Sequence, residues 1–314
     1  MPWGFSFQTG HGVFRHGKGV AMSIGIRPTV DYAFKRVLGS PGHTDITVHF
    51  INAVLDGSPP ITEVELLNPI LEKDSASDKF AILDVRARDD QGRWLNIEMQ
   101  TTLPAGLRER LTYYVSSLYV SQLEEGAGYV TLRPAVSICL LDRLLFREVP
   151  DPHLDFQLRE SRHGFVLTDH LQVHLLELPK YNPVEEDLRN ASPLEKWLYF
   201  FRFAADLSLD EIEARLSDPA IREAAGVLEM ISHTPREREL YEARLKLERD
   251  EAARLLEARD EGERIGKLIG IIQTLQQLLG MEVASSDHLR CQSAEDLSKL
   301  VETLQSGLRD RGAP

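Results

Sequence analysis

Cysteine is nearly missing from this chain: only Cys139 and Cys291 occur in 314 residues. They make no metal or redox motif and no disulfide framework, which fits a reducing, cytoplasmic setting. None of the ten histidines stands at metal-ligand spacing. P-loop, nucleophile-elbow and dinucleotide fingerprints are all absent, so the chemistries those motifs support are not expected. Long apolar runs are missing too. AVSICLL and IGIIQTLQQLL are too short or too interrupted to span a bilayer, so no membrane partner is expected. Positive charge is in deficit, with a formal net charge of −13. That argues against a general polyanion binder. Any nucleic-acid contact has to come from a local basic patch or through metal ions.

What remains is an ordinary globular composition, 42% hydrophobic and 27% charged. The length supports a sizeable core and more than one structural unit. Residues 1–23 are rich in Gly and His, lack periodicity and lack a secretory apolar region, so they read as a disordered extension, with Met22 as a candidate start. PTVDYAFKRVL predicts a first helix from Pro28 to Leu38, capped by Thr29 and burying Tyr32, Phe34 and Val37. HTDITVHFINAVL predicts a second, with Ile46, Phe50, Ile51 and Val54 on one face. A strand or extended segment is expected between Ile61 and Leu71.

The stretch from Lys79 to Gln100, KFAILDVRARDDQGRWLNIEMQ, alternates as a β-hairpin does. Ala81, Leu83, Val85 and Ala87 interleave with Asp84, Arg86 and Arg88. Leu95, Ile97 and Met99 interleave with Asn96, Glu98 and Gln100. Asp90-Gln91-Gly92 is turn chemistry, because Gly takes the left-handed position that closes a three-residue loop. Counting outward from such a loop, Asp89 faces Arg93 and Asp84 faces Glu98. A two-residue loop would instead put Met99 opposite Asp84. Opposed residues have Cβ atoms roughly 4.5–5.5 Å apart, so two carboxylates there repel unless a positive group lies between them. A hard divalent cation such as Mg²⁺ is one answer.

After Pro104-Ala105-Gly106 a helix is expected from Leu107 to Leu123, with Leu107, Leu111, Tyr114 and Leu118 at helical spacing. Arg108 and Arg110 open it. Tyr129 to Leu141 reads as a buried strand. FQLRE, GFVLTD and LQVHLLEL read as edge strands. Ser192 and Pro193 mark a helix start, as N-cap and first helical residue. Everything from Asp206 onward reads as helical. Within it, Glu242–Lys246, Asp250–Arg254 and Asp260–Arg264 are spaced as i,i+4 ion pairs. Ile265, Leu268, Ile272, Leu275 and Leu279 form a short heptad seam that either dimerises or folds back on the terminal helices. Gly262, Gly266 and Gly270 fall four apart and suggest close helix packing. Ser293 is a predicted N-cap of the last helix.

Two readings of the hairpin stand side by side. In one, Asp84, Glu98 and Gln100 are solvent-facing polar residues of an edge hairpin, and Arg108 and Arg110 simply pair with Glu98 or Glu109. In the other, Asp84 and Glu98 bind Mg²⁺ together with a backbone carbonyl near Met99. The metal then polarises a phosphodiester and acidifies a water for attack. Gln100 orients that water but supplies neither charge nor a base. Lys35, Lys79, Arg108 and Arg110 are candidates to neutralise phosphate, and Asp31 could extend the acidic cluster. Tyr113 and Tyr114 read as core in preference to a stacking platform.

Three runs in order, DYAFKRVLG, LDVRARDDQGRWLNIEMQ and RERLTYYVSSLYVSQLEEGAGYVTLRPAVSICLLDRLLF, resemble the recombination-promoting nuclease (Rpn) family, also described as PD-(D/E)XK nuclease family transposases. The likeness covers residues 28 to 203, and RIGKLIGIIQTLQQLLG resembles the tail common in that family. The resemblance implies an α/β fold: a restriction-endonuclease-like mixed sheet flanked by helices, with an α-helical C-terminal region. It implies Mg²⁺-dependent cleavage of DNA, with Mn²⁺ as an alternative ion. By position, Asp84 matches the metal-binding aspartate and Glu98 the second acidic residue. Gln100 stands where the wider superfamily has lysine, and Asp31 and Lys35 match the family's helix motif. The expected organisation is a nuclease-like domain over residues 24–205, a helical region over 206–260 and a helical tail over 261–314 able to form homo-oligomers. A nuclease relic that only binds DNA or protein is the alternative.

Overall fold

The computed structural model describes residues 22–57, 60–67, 84–184 and 188–311. Lys79, the start of the hairpin stretch and residues 1–21 lie outside them. The chain divides into two compact units, one ending at Tyr241 and one beginning at Glu242.

The first unit starts with two helices, α1 (Asp31–Leu38) and α2 (Thr44–Leu55). Val30, not Thr29, occupies the N-cap of α1, and it offers no side-chain hydrogen bond there. Phe34 and Val37 are fully buried as their spacing requires. Gly39 ends α1 where no side chain fits: a Cβ would stand 2.9 Å from the Lys35 carbonyl oxygen and 3.2 Å from Val85 Cγ2.

Strands β1 (Val64–Leu66), β2 (Asp84–Asp89) and β3 (Trp94–Gln100) follow, then helix α3 (Leu107–Val120) and strand β4 (Ala135–Leu141). Two further strands, β5 (His153–Arg159) and β6 (Val166–Glu177), complete a six-stranded mixed sheet of order β1-β2-β3-β4-β6-β5. The three central strands β3, β4 and β6 run parallel, and the outer pairs are antiparallel. GFVLTD and LQVHLLEL therefore belong mostly to one long interior strand, β6, and of the three expected edge segments only FQLRE, in β5, lies at an edge. Strand β4 is buried along its whole length, as expected for the middle of a sheet covered on both faces.

Helix α3 covers one face. Leu107 and Leu111 pack on Cys139, Leu141 and Leu175, and Val115 and Leu118 pack on Ala135. Val115 takes the buried position expected of Tyr114. Helix α4 (Pro193–Phe203) stacks aromatics on the first two helices: Trp197 and Phe201 meet Phe50, and Phe201 meets Phe34. Ser192 and Glu195 form a complete capping box at its start. Helices α5 (Leu209–Leu216) and α6 (Pro219–His233) follow. The start of α7 (Pro235–Leu278) ties back to α1, where Tyr32 Oη donates to Glu237 at 2.7 Å.

In the second unit, α7 continues and is joined by α8 (Ser286–Arg290) and α9 (Ala294–Arg311). Ile269, Ile272, Leu275 and Leu279 pack on Leu289, Leu297, Val301 and Leu304. The heptad seam thus folds back on the terminal helix, one of its two expected fates. Ser293 Oγ caps α9 by accepting from the Asp296 N–H at 3.1 Å. Two sequence expectations are corrected. A Cβ at Gly262, Gly266 or Gly270 would meet nothing within 4 Å, so these glycines do not serve close packing. On α7, Arg264 pairs with Glu261 and Arg259 with Glu263, while Arg254 Nε reaches the Asp250 backbone carbonyl.

Candidate active site

The site is built on the hairpin. Gly92 takes φ = +81° and closes the three-residue loop, and the Asp89 N–H donates to the Arg93 carbonyl at 3.2 Å. Asp89 also binds the Arg93 guanidinium at 2.6 Å, so the turn is held by side chains as well. This loop fixes the register, and Asp84 pairs directly with Glu98.

The hairpin is not at an edge. Strand β3 sits between β2 and β4, so Asn96, Glu98 and Gln100 all point into the space beneath α3. Glu98 is fully buried and Gln100 and Asn96 nearly so. For Glu98 and Gln100 the solvent-facing reading is thereby corrected. A buried carboxylate is costly unless it is hydrogen-bonded and compensated by positive charge. Gln100 Nε2 donates to Glu98 Oε2 at 3.2 Å, and the Arg110 guanidinium lies 3.8 Å from the same oxygen. Arg110 reaches across from the first turn of α3, which Gly106 opens in a left-handed conformation.

A polar row in the central strand of a sheet works against stability. Asn96 and Ser137, register partners on β3 and β4, carry buried polar atoms with no hydrogen-bond partner among the described residues. Each such group costs about 1–3 kcal/mol of desolvation. Local rules are broken in this way mostly where function requires it.

The other expected residues sort as follows. Lys35 pairs with Asp31 at 3.3 Å within α1, both largely buried. Arg108 stacks over the Phe146 ring at 4.5 Å from its centroid and Arg110 over Tyr114 at 5.7 Å. Tyr113 is 67% exposed and is not core. Arg86 and Arg88 were not among the sequence candidates. They share the face of β2 with Asp84, both are exposed, and Arg88 lies 6.0 Å from the centre of the Trp94 ring. The signal was present in the sequence, since the alternation that assigns Asp84 to this face assigns both arginines to it.

A six-stranded mixed sheet flanked by helices, with a helical C-terminal region, is a restriction-endonuclease-like fold. The chain belongs to the PD-(D/E)XK nuclease family transposases, whose family model matches residues 28–258. That membership supports a nuclease-related function. No curated protein and no solved structure matches the chain. No helix among the described residues is long and apolar enough to cross a membrane.

Proposed function

We propose that the protein is a metal-dependent DNA endonuclease whose site is Asp84, Glu98 and Gln100. The observation that carries this reading is the pairing of Asp84 with Glu98 next to a fully buried Glu98 side chain. The donor set fits a hard divalent cation. Opposed carboxylate positions and backbone carbonyls are oxygen ligands of the kind Mg²⁺ and Mn²⁺ take, and a divalent cation is one form of the positive charge that a buried anion such as Glu98 calls for. Asp84 and Glu98 would hold the ion, with a carbonyl near Met99. When bound, it supplies Lewis acidity to the phosphodiester and makes water a better nucleophile.

The chain's own residues do the rest. Gln100 holds one Glu98 oxygen through its amide N–H, which leaves its carbonyl oxygen as an acceptor able to orient a water. Arg110 stands 3.8 Å from the Glu98 carboxylate and brings charge toward the phosphate. Arg86 and Arg88 extend that charge along β2, and Arg108 extends it along α3. They form the local basic band that a protein of net charge −13 needs to hold DNA. Lys35 with Asp31, and Lys79, belong to the same proposal as supporting groups. A role in recombination or in mobile-element movement, and a cytoplasmic location, follow from the family reading.

A second reading is favoured by one specific feature. Gln100 is uncharged where the wider superfamily has lysine, and a nuclease relic that retains only DNA binding would tolerate that. Supercoiled plasmid separates the two. The expected result is nicking or linearisation in Mg²⁺ or Mn²⁺, lost in Asp84→Ala and Glu98→Gln, with unchanged circular dichroism. Wild-type protein that is folded, binds DNA and cleaves in neither metal would establish the relic.

A further inference from the structure

Large aromatic side chains scattered singly on a surface are common and call for no explanation. Tyr113 is different because of what lies behind it. It is 67% exposed, and its ring centroid is 6.0 Å from that of Tyr114. Tyr114 is backed by the Arg110 guanidinium at 5.7 Å, and the same guanidinium stands 3.8 Å from the buried Glu98 carboxylate. Residues 110, 113 and 114 share one stripe of α3, because positions three and four apart are neighbours on a helix. A chain of contacts therefore runs from the candidate catalytic carboxylate outward, ending on an open aromatic ring about one helical turn away.

Charge points the same way. Arg108 stacks on Phe146 near the start of α3, and Glu109 is the only acidic residue of that helix. Arginines alternating with aromatic rings are what an unpaired nucleic-acid strand requires. The guanidinium groups follow the phosphates, and each base has a π-face to lay on a ring. Paired bases are stacked within the duplex and offer no such face.

We infer that the Tyr113–Tyr114–Arg110 stripe is a base-stacking platform, and that the DNA taken by this site is single-stranded or locally unpaired next to the scissile phosphate. This rests on the nuclease reading for the reacting phosphate, but the platform itself is a binding surface that acts without catalysis. Stacking one base positions its phosphate toward Arg110 and Glu98. Specificity then comes from strand state and not from base identity, since stacking tolerates every base.

The test uses the full chain in EDTA, where no cleavage occurs. Fluorescence anisotropy is measured with a labelled single-stranded oligonucleotide and with the same sequence as a duplex. The expected result is single-strand affinity about tenfold above duplex affinity. Tyr113→Ala should weaken single-strand binding by about five- to tenfold and leave duplex binding unchanged, while Tyr113→Phe retains it. Equal affinity for both forms, or a Tyr113→Ala protein indistinguishable from wild type, overturns the inference. Tyr113 is exposed, so its loss does not threaten folding, and Tyr113→Leu separates an aromatic face from mere apolar bulk. The two readings fail separately. Plasmid cleavage that depends on Glu98 together with Tyr113-independent binding sinks the platform alone. Tyr113-dependent single-strand binding with no cleavage in any metal sinks the nuclease and leaves the platform.

Discussion

Gln100 and Glu98, two residues apart on one strand, are joined side chain to side chain at 3.2 Å with both buried. In the proposed site this amide stands in for an ammonium group, and it holds the carboxylate without neutralising it. Replacing Gln100 with Lys should supply the missing charge next to the phosphate. We expect plasmid cleavage to rise by about tenfold, below the 10²–10³ associated with a full electrostatic contact, because position 100 is buried and a lysine there pays desolvation. A folded Gln100→Lys protein that cleaves more slowly than wild type would show that the amide has a role lysine cannot fill.

Arg110 is the guanidinium seen 3.8 Å from Glu98. Removing one partner of a buried pair costs about 3–5 kcal/mol, but Arg110 is 32% exposed, so screening should reduce this to about 1–2 kcal/mol. Urea denaturation of Arg110→Met should show that loss, and the double variant with Glu98→Gln should recover most of it. If the losses in the two single variants simply add, the two side chains are not coupled.

His174 offers a pH test of the far side of the sheet. Burial is the main cause that lowers its pKa to about 4, with the His153 ring adding to the effect and the Asp155 carboxylate opposing it. The rings touch at 3.0 Å. A neutral pair satisfies the contacts when His153 Nε2–H donates to His174 Nδ1 and His174 Nε2–H faces Gln172 Oε1. Since the folded pKa lies below the usual 6.5, the unfolded chain binds the proton first as pH falls. Stability from this group is complete above about pH 6.5 and is lost between there and pH 4, on the order of 3 kcal/mol. His153 is shifted in the same direction by burial. Denaturation midpoints of wild type and His174→Gln, compared from pH 7 to pH 4, should converge as pH falls. Parallel curves would rule out the linkage.

Gly262, Gly266 and Gly270 lie in α7 with open space where a Cβ would go. Alanine at each should stabilise the helix by about 0.8–1.0 kcal/mol per site through backbone entropy alone. Thermal melts of the triple variant should move upward. A downward shift would mean that a partner, such as a second copy of the chain, packs on those glycines.

The sequence by itself determined the hairpin and left its register between two loop lengths. Alternation assigned Asp84, Glu98 and Gln100 to one face, and the folded turn at Gly92 took the three-residue loop that sets Asp84 against Glu98. It also determined the capping of α4 by Ser192 and of α9 by Ser293, since a cap involves atoms only a few residues apart. Alternation says which side chains share a face but not what covers that face. Whether Glu98 meets water or lies buried was decided when β4 paired with β3 and α3 folded over both, contacts that join segments distant in the chain. The same long-range pairing moved β6 from the edge to the interior and laid the heptad seam on α9. It also left Tyr113 in solvent while burying Val115 beside it. Local chemistry set the alternation that faces Asp84 toward Glu98 in register, and tertiary packing buried Glu98.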